Sequence, residues 1–339
     1  MYVCDGGADV DVGTLYSHRR GRTESATFVY ARDYVTRPGA YERDPSLPLG
    51  TAPSQTPVGQ KIFGALSDCL SSWPWPTRPK ETTCRCLTSS GCCGRGAPSV
   101  APDPRPMSDT DGRGAVAKFP SAAHDTWNVM AWEKVALDLA RGAGIMVPGS
   151  RLLSLAARHV LVLDRFDRTP AGARVGYVSA MTMLEATAGD QRSYLEIAAA
   201  IEKRSARASR DLAELWRRVV LNVLISNTDD HLRNHGFLHS GGTSWSLAPA
   251  FDLNPQPEPG PKQLSTFIDT ADDSATVSLA MSVAPMFRLS AAQARRTLGE
   301  VAAAVSGWRH VAAQWLAPRE IDEMAPAFVE RDAVPTVLA

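Results

Sequence analysis

The chain has 339 residues, 44% hydrophobic and 21% charged, which suits a folded chain of one large or two modest domains. Its 36 Lys and Arg balance 36 Asp and Glu, so neither a nucleic-acid-coating charge nor an acidic tail is expected. The sequence has no run of about 18 apolar residues, and the acidic N-terminus MYVCDGGADVDV lacks the apolar centre of a signal peptide. No membrane partner is therefore expected, and the cytoplasm is the expected compartment. There the six cysteines, four of them between Cys84 and Cys93, are expected to be free thiols.

Residues 12–18 and 24–30 alternate apolar and polar side chains around a turn at 19–22, the pattern of two paired strands. A stretch rich in Pro and Gly follows, with a short helix expected over 60–69. Residues 70–114 crowd Trp, Pro, Cys, Arg and Gly without periodicity and read as irregular. GAVAKFPS at 114–121 reads as a strand ended by Pro120. Residues 126–141 repeat apolar positions at helical spacing, with Trp132 on the buried stripe and Gly142 and Gly144 as the stop. Two strands follow, 150–157 and 158–164. Helices are then expected over 193–203, 210–226, 290–306 and 319–329, with Ser290 as an N-cap and Pro318 in a first turn. Trp216 reads as core.

The chemistry-bearing stretch is LISNTDDHLRNHGFL, residues 224–238. An amphipathic helix ends near Ser226, a dense polar run follows, and Phe237 and Leu238 return the chain to a strand. Catalytic groups are commonly carried on such a loop between two buried elements. Phosphoryl transfer to a hydroxyl needs a carboxylate beside the attacking oxygen and oxygen ligands for a metal ion bridging the phosphates. Asp229 and Asn234 have the spacing that protein kinases use for these two tasks, with Asp229 as base and Asn234 as a metal ligand. Asp252 follows in APAFDLNP as the second metal ligand. The Gly241-Gly242 turn predicts a hairpin that brings Asp252 back to the loop. A plain polar turn is the alternative reading of the loop taken alone.

NTDDHLRNHGFL followed by LAPAFDLNP resembles the C-terminal signature of the HipA-family serine/threonine kinases, the toxins of bacterial toxin–antitoxin pairs. The Asp-x-His-x-x-Asn form is also similar to lipid-kinase catalytic loops. AKFPS resembles the family's strand carrying a phosphate-binding lysine, here Lys118. WEKVALDLARGAGI resembles the helix that follows, with Glu133 at the acidic position that pairs with the lysine. VLDRFDR resembles the adenine-binding linker, Asp164, Arg165 and Phe166, and Asp167 would cap a turn or contact the ribose. VGTL and RTESATFVY resemble the family's small N-terminal domain. Clear matches span about 10–68 and 114–260.

The resemblance implies an α+β, protein-kinase-like fold with a β-rich N-terminal part and a mainly helical C-terminal lobe. The expected domains are 1–70, an irregular degenerate linker and phosphate-loop region at 71–113, and a kinase domain at 114–339. Within the last, 118–168 would bind ATP and 190–335 would form the helical catalytic lobe. The cofactors implied are ATP and Mg²⁺. His231 and Arg233 would contact nucleotide phosphates or brace the loop, with bracing favoured for His231. Phe251 would lie near the nucleotide or fill core, and Asp230 reads as a solvated carboxylate.

The partners implied are a HipB-like DNA-binding antitoxin, with DNA reached only through it, and a protein substrate such as an aminoacyl-tRNA synthetase or a translation factor. The chain departs from the family in its phosphate loop. Ser89, Ser90, Gly91, Gly94 and Gly96 could donate there, but the lysine expected after Pro98 is absent. Two other readings therefore stay open: an impaired, pseudokinase-like protein that still docks an antitoxin, and a small-molecule or lipid kinase.

Overall fold

The structure is a computed structural model, and it describes residues 2–5, 8–20, 23–56, 60, 62–65, 68, 105–108, 114–120, 127–155, 158–187 and 189–328. The expected phosphate-loop serines and glycines and the cysteine cluster lie outside the described residues.

The N-terminal part opens with a hairpin the sequence pattern did not announce, β1 (Tyr2–Asp5) against β2 (Ala8–Asp11). The expected hairpin follows as β3 (Gly13–Arg20) and β4 (Thr23–Tyr30), in register from Gly13 opposite Tyr30 to Arg20 opposite Thr23. Gly13 has φ +153°, and a Cβ there would lie 2.2 Å from the Val29 carbonyl oxygen, so the close crossing needs glycine. After α1 (Arg32–Val35), the short β5 (Ser54–Gln55) joins the other edge of β4. Phe28, Tyr30, Tyr34, Leu47 and Phe63 fill a small separate core. In the helix expected over 60–69, residues 64, 65 and 68 are helical.

A four-stranded antiparallel sheet comes next, in the order β6 (Arg105–Ser108), β7 (Gly114–Lys118), β9 (Arg158–Asp164), β8 (Ser150–Leu155). Strand β6 corrects the irregular reading at 105–108. It is an edge strand, the one place in a sheet where Pro106 can sit without breaking a ladder on both sides. Helix α2 (Val129–Gly142) covers one face. Its residues from Met130 to Leu137 are all buried, as in an element enclosed by packing. Asn128 caps it, accepting from the Ala131 N–H at 3.2 Å.

The C-terminal lobe begins with β10 (Tyr177–Ser179) and α3 (Ala180–Met183), followed by α4 (Tyr194–Arg204) and α5 (Ala208–Leu224). Ser193 and Glu196 form a reciprocal capping box at the start of α4. Leu212, Leu215, Trp216 and Val219 of α5 are fully buried, and each such side chain contributes roughly 1.5–3 kcal/mol of burial. The expected return hairpin is β11 (Gly236–Gly241) and β12 (Ser244–Leu247), with β10 on its other edge. Helices α6 (Val277–Val283), α7 (Ala291–Ser306), α8 (Trp308–Ala312) and α9 (Pro318–Glu323) close the lobe. Ser290 caps α7 as expected. The helix expected over 319–329 ends at Glu323, and a separate 3₁₀ turn, Ala325–Ala327, follows. Pro326 removes an amide that a continued helix would need. Among the described residues, no helix is long and apolar enough to cross a membrane.

Candidate active site

Strand β7 places Lys118 by register. Val116 stands opposite Leu163 and Lys118 opposite Leu161, so the lysine emerges on the sheet face that carries Leu161 and Leu163 into the main core. Ala115 and Ala117 point to the other face, with Val160 and Val162. On the lysine's own face lies α2, whose Glu133 is 1% exposed. The Lys118 ammonium reaches both oxygens of that carboxylate, at 2.6 and 2.8 Å. It also bonds Asp252 Oδ1 at 2.8 Å, across 134 residues of sequence. The expected Lys–Glu pair is present, and the same lysine ties the two lobes together.

Electrostatics follow from this triad. Burial alone would lower the lysine's pKa, but the Asp252 and Glu133 carboxylates together hold it above the ordinary lysine value and keep it cationic. Lys118 in turn holds Asp252 below the usual carboxylate range. Burial pushes Glu133 up, against the pull of Lys118.

The polar run after α5 folds into a tight loop. Ser226 takes a left-handed conformation, φ 50°, and ends the helix. The Asp229 carbonyl accepts from the His231 N–H at 2.9 Å and from Asn234 Nδ2 at 3.2 Å. Asn234 sits in a 3₁₀ turn, Leu232–Asn234, and is 6% exposed. Asp229 itself is exposed, and its carboxylate makes no hydrogen bond or ion pair among the described residues. Partial burial raises its pKa above the ordinary Asp value, and the charges of Asp252 and Asp230 add to this while His231 opposes it.

Asp252 comes back to this loop, also left-handed, φ 59°. The Asn254 N–H donates to Asn227 Oδ1 at 3.1 Å, and the Gln256 N–H to the Ser226 carbonyl at 3.2 Å. A non-glycine residue in that conformation costs about 1–3 kcal/mol and persists only where its surroundings over-determine it. These two bonds after Asp252, and the Ala250 N–H donating to the Met146 carbonyl at 2.8 Å before it, do so. Beside it, Phe251 packs on Phe166 with ring centroids 5.7 Å apart, and Phe166 also meets Tyr177 at 6.2 Å.

Other expected residues fall into different roles. The Asp164 side chain pairs with Arg151 at 3.2 Å, and its N–H donates to the Gly149 carbonyl. Arg165 pairs with Asp167 through two bonds, 2.8 and 2.6 Å, and Arg168 Nη1 joins at the same Oδ2, also at 2.6 Å. Asp167 is therefore an arginine anchor. Arg233 is exposed and makes no hydrogen bond or ion pair among the described residues. His231 does not brace the loop through its ring: its buried Nδ1 has no partner among the described residues.

The brace belongs to residues the sequence reading passed over. Asp230, expected to be solvated, is 2% exposed. One of its oxygens, Oδ2, receives Tyr194 Oη, Asn222 Nδ2 at 2.7 Å and His235 Nε2 at 2.9 Å. The Asp230 carbonyl accepts from Thr266 Oγ1 at 2.7 Å. Burying an unpaired carboxylate is prohibitive, whereas one with several donors is stable. The available signal was Asn222, a polar residue inside the apolar end of α5.

The donor set fits magnesium. Asp252, Asp229 and the Asn234 amide oxygen are hard oxygen ligands, which Mg²⁺ prefers. The buried Asn254 Oδ1, which has no hydrogen-bond partner among the described residues, adds another oxygen next to Asp252. Among the described residues no group of three His, Cys, Asp or Glu side chains is arranged to hold a metal by itself. Such an ion would thus lean on one or two carboxylates, the amide oxygen and nucleotide phosphates.

A strand lysine paired with a helix glutamate, facing a loop Asp–Asn pair and a returning aspartate, defines an α+β fold of the protein-kinase type. Residues 95–308 match the family model described as the HipA-like C-terminal domain, and the chain belongs to that family. It is 29% identical over 152 residues to a Sinorhizobium fredii protein given the provisional name kinase Y4dM; the match takes in 41% of this chain and 36% of that relative's length. Among solved structures, it is similar to Shewanella oneidensis HipA, crystallised with HipB and operator DNA. That likeness has a TM-score of 0.63 at 13% identity, over 100% of this chain and 96% of that one. The proinflammatory kinase CtkA of Helicobacter pylori matches with a TM-score of 0.52 at 15% identity, over 69% of this chain and 92% of that chain. At these identities the two structures bear on the fold alone.

Proposed function

We propose that this protein is an ATP- and Mg²⁺-dependent kinase of the HipA type that phosphorylates a protein serine or threonine. The observation that carries the reading is the Lys118–Asp252 contact across the lobes, with the 227–234 loop tied by hydrogen bonds to the segment that follows Asp252. Lys118 would neutralise phosphate charge as a point-charge donor. Glu133 would hold it in place. Asp229, free and with a raised pKa, would orient the attacking hydroxyl and take its proton. Asn234 and Asp252 would hold the metal, whose contribution when bound is to offset phosphate charge. Arg233 and His231 would meet the phosphates. The linker backbone at Asp164–Phe166, with Phe166 and Phe251, would meet the adenine.

A HipB-like antitoxin is the proposed partner, by analogy with the Shewanella complex, and DNA would be reached only through it. The substrate class, an aminoacyl-tRNA synthetase or translation factor, rests on the family likeness, as does the cytoplasmic location. Calorimetry with ATP·Mg²⁺ and a phosphotransfer assay test the reading. Binding is expected in the parent protein, and Asp229→Asn is expected to lower turnover by about 10²–10⁴-fold, the usual worth of a positioned general base. Equal phosphate incorporation by parent and variant would sink the assignment. Antitoxin binding without ATP·Mg²⁺ binding would favour a pseudokinase-like docking protein.

A further inference from the structure

Two fully buried asparagines under the 227–235 loop have no part in the chemistry above. Asn222 is 1% exposed and Asn227 is 0% exposed. A buried amide must have both its ends satisfied, or it costs more than an apolar residue of the same size. Both do, and their partners form one continuous line. Asn254 Nδ2 donates to Asp252 Oδ1 at 3.2 Å. The Asn254 N–H donates to Asn227 Oδ1 at 3.1 Å. Asn227 Nδ2 donates to Asn222 Oδ1 at 3.1 Å. Asn222 Nδ2 donates to Asp230 Oδ2 at 2.7 Å, the oxygen that also receives Tyr194 and His235.

The line runs from the carboxylate of Asp252 to the anchor beneath Asp229. Its middle member must accept on one side and donate on the other, and an asparagine at 227 supplies both within one planar group. Backbone bonds hold the same segments without this side chain: Gln256 N–H to the Ser226 carbonyl and Ser265 N–H to the Thr228 carbonyl, at 3.2 and 2.9 Å. Removing the Asn227 amide therefore loosens a position without removing the loop.

We propose that Asn227 is a positioning residue that, through Asn254, sets Asp252 relative to the Asp229–Asn234 loop and so governs how readily the site takes up Mg²⁺. The proposal deepens the kinase reading and rests on it for the metal. Asp252 occupies a strained left-handed conformation, and among the described residues its carboxylate bonds Lys118 and Asn254. Loss of the tie leaves the Asp252 carboxylate to Lys118, while its backbone stays bonded to Glu133. Residues that orient metal ligands from behind change metal affinity or activity by about 10–100-fold when removed.

The test uses the full chain and two variants. Asn227→Ala removes the line. Asn227→Asp keeps the oxygen that receives the Asn254 N–H and loses the donor to Asn222 Oδ1. The Mg²⁺ concentration for half-maximal phosphate transfer at saturating ATP is expected to rise about tenfold or more in Asn227→Ala, with the KM for ATP unchanged. Asn227→Asp is expected to keep the Mg²⁺ requirement close to the parent's, at a cost in stability from the unmatched Asn222 Oδ1. Without nucleotide, amide exchange at Asn254 is expected to be slow in the parent and Asn227→Asp and fast in Asn227→Ala. The proposal is overturned by an unchanged Mg²⁺ requirement in Asn227→Ala, by a fall in turnover that leaves that requirement where it was, or by fast exchange at Asn254 in the parent. A parent protein that transfers no phosphate removes the kinase reading instead, and the tie then stands or falls on the exchange rates.

Discussion

Asp229 combines exposure, a carboxylate with no partner among the described residues and a raised pKa, and these three properties set its pH behaviour. In its proposed role as base it must be deprotonated to act, so the acid limb of kcat/KM is expected above the ordinary Asp value of about 3.9. Activity rises as pH climbs through the raised pKa. A kcat/KM profile measured from acid to neutral pH checks this; a limb at or below the ordinary value would contradict it. Lys118 works differently. Its partner Glu133 is almost wholly buried, so removing the lysine strands a charge. Lys118→Met is expected to cost about 3–5 kcal/mol of stability, as for other broken buried pairs. Lys118→Met with Glu133→Leu is expected to recover much of the loss. Chemical denaturation of the four proteins of that cycle measures it, and simple additivity would refute the pairing.

At the scale of elements, the polar loop between α5 and β11 is held from below. Three side-chain donors converge on one Asp230 oxygen, from α4, α5 and the residue that leads into β11. Asp230→Ala leaves them unmatched in a dry site, each at about 1–3 kcal/mol. The expected result is a loss of several kcal/mol, seen as a large fall in Tm, together with faster amide exchange over 226–236. A change within the range of ordinary surface substitutions, about 0.5 kcal/mol, would show that the convergence contributes little. The loop's own contour was readable from its residue types: polar run, helix before, apolar pair after. Which of its two aspartates faced outward was not. Asp229 and Asp230 are adjacent, and the choice depends on donors supplied by elements far away in sequence.

Across the whole molecule, the N-terminal part is latched to the C-terminal lobe by a carboxylate at a helix start. Asp68 accepts from the Ser179 N–H at 2.7 Å, from Ser179 Oγ at 2.9 Å and from Thr182 Oγ1 at 2.7 Å, at the start of α3. Nearby, a Cβ on Gly64 would lie 2.5 Å from Thr182 Oγ1, so the surfaces meet closely. Tyr41 stacks on His239 at the β11–β12 hairpin. Asp68→Ala is expected to lower Tm and to expose the N-terminal part to limited proteolysis while phosphate transfer persists. Unchanged proteolysis would show that the aromatic contacts hold the parts together on their own.

By itself the sequence determined the hairpin at 13–30, the strand–helix unit carrying Lys118 and Glu133, the long helices of the C-terminal lobe and the Asp229–Asn234 spacing. These depend on residues close along the chain, where period and turn chemistry decide the backbone. Tertiary structure alone decided that Lys118 also reaches Asp252, that Asp230 is buried while Asp229 has no partner among the described residues, that Asp167 serves arginines, and that an asparagine line joins the loop to Asp252. Each of these is a choice of partner among chemically similar side chains, and the choice is made by which elements packing brings within about 3 Å of one another.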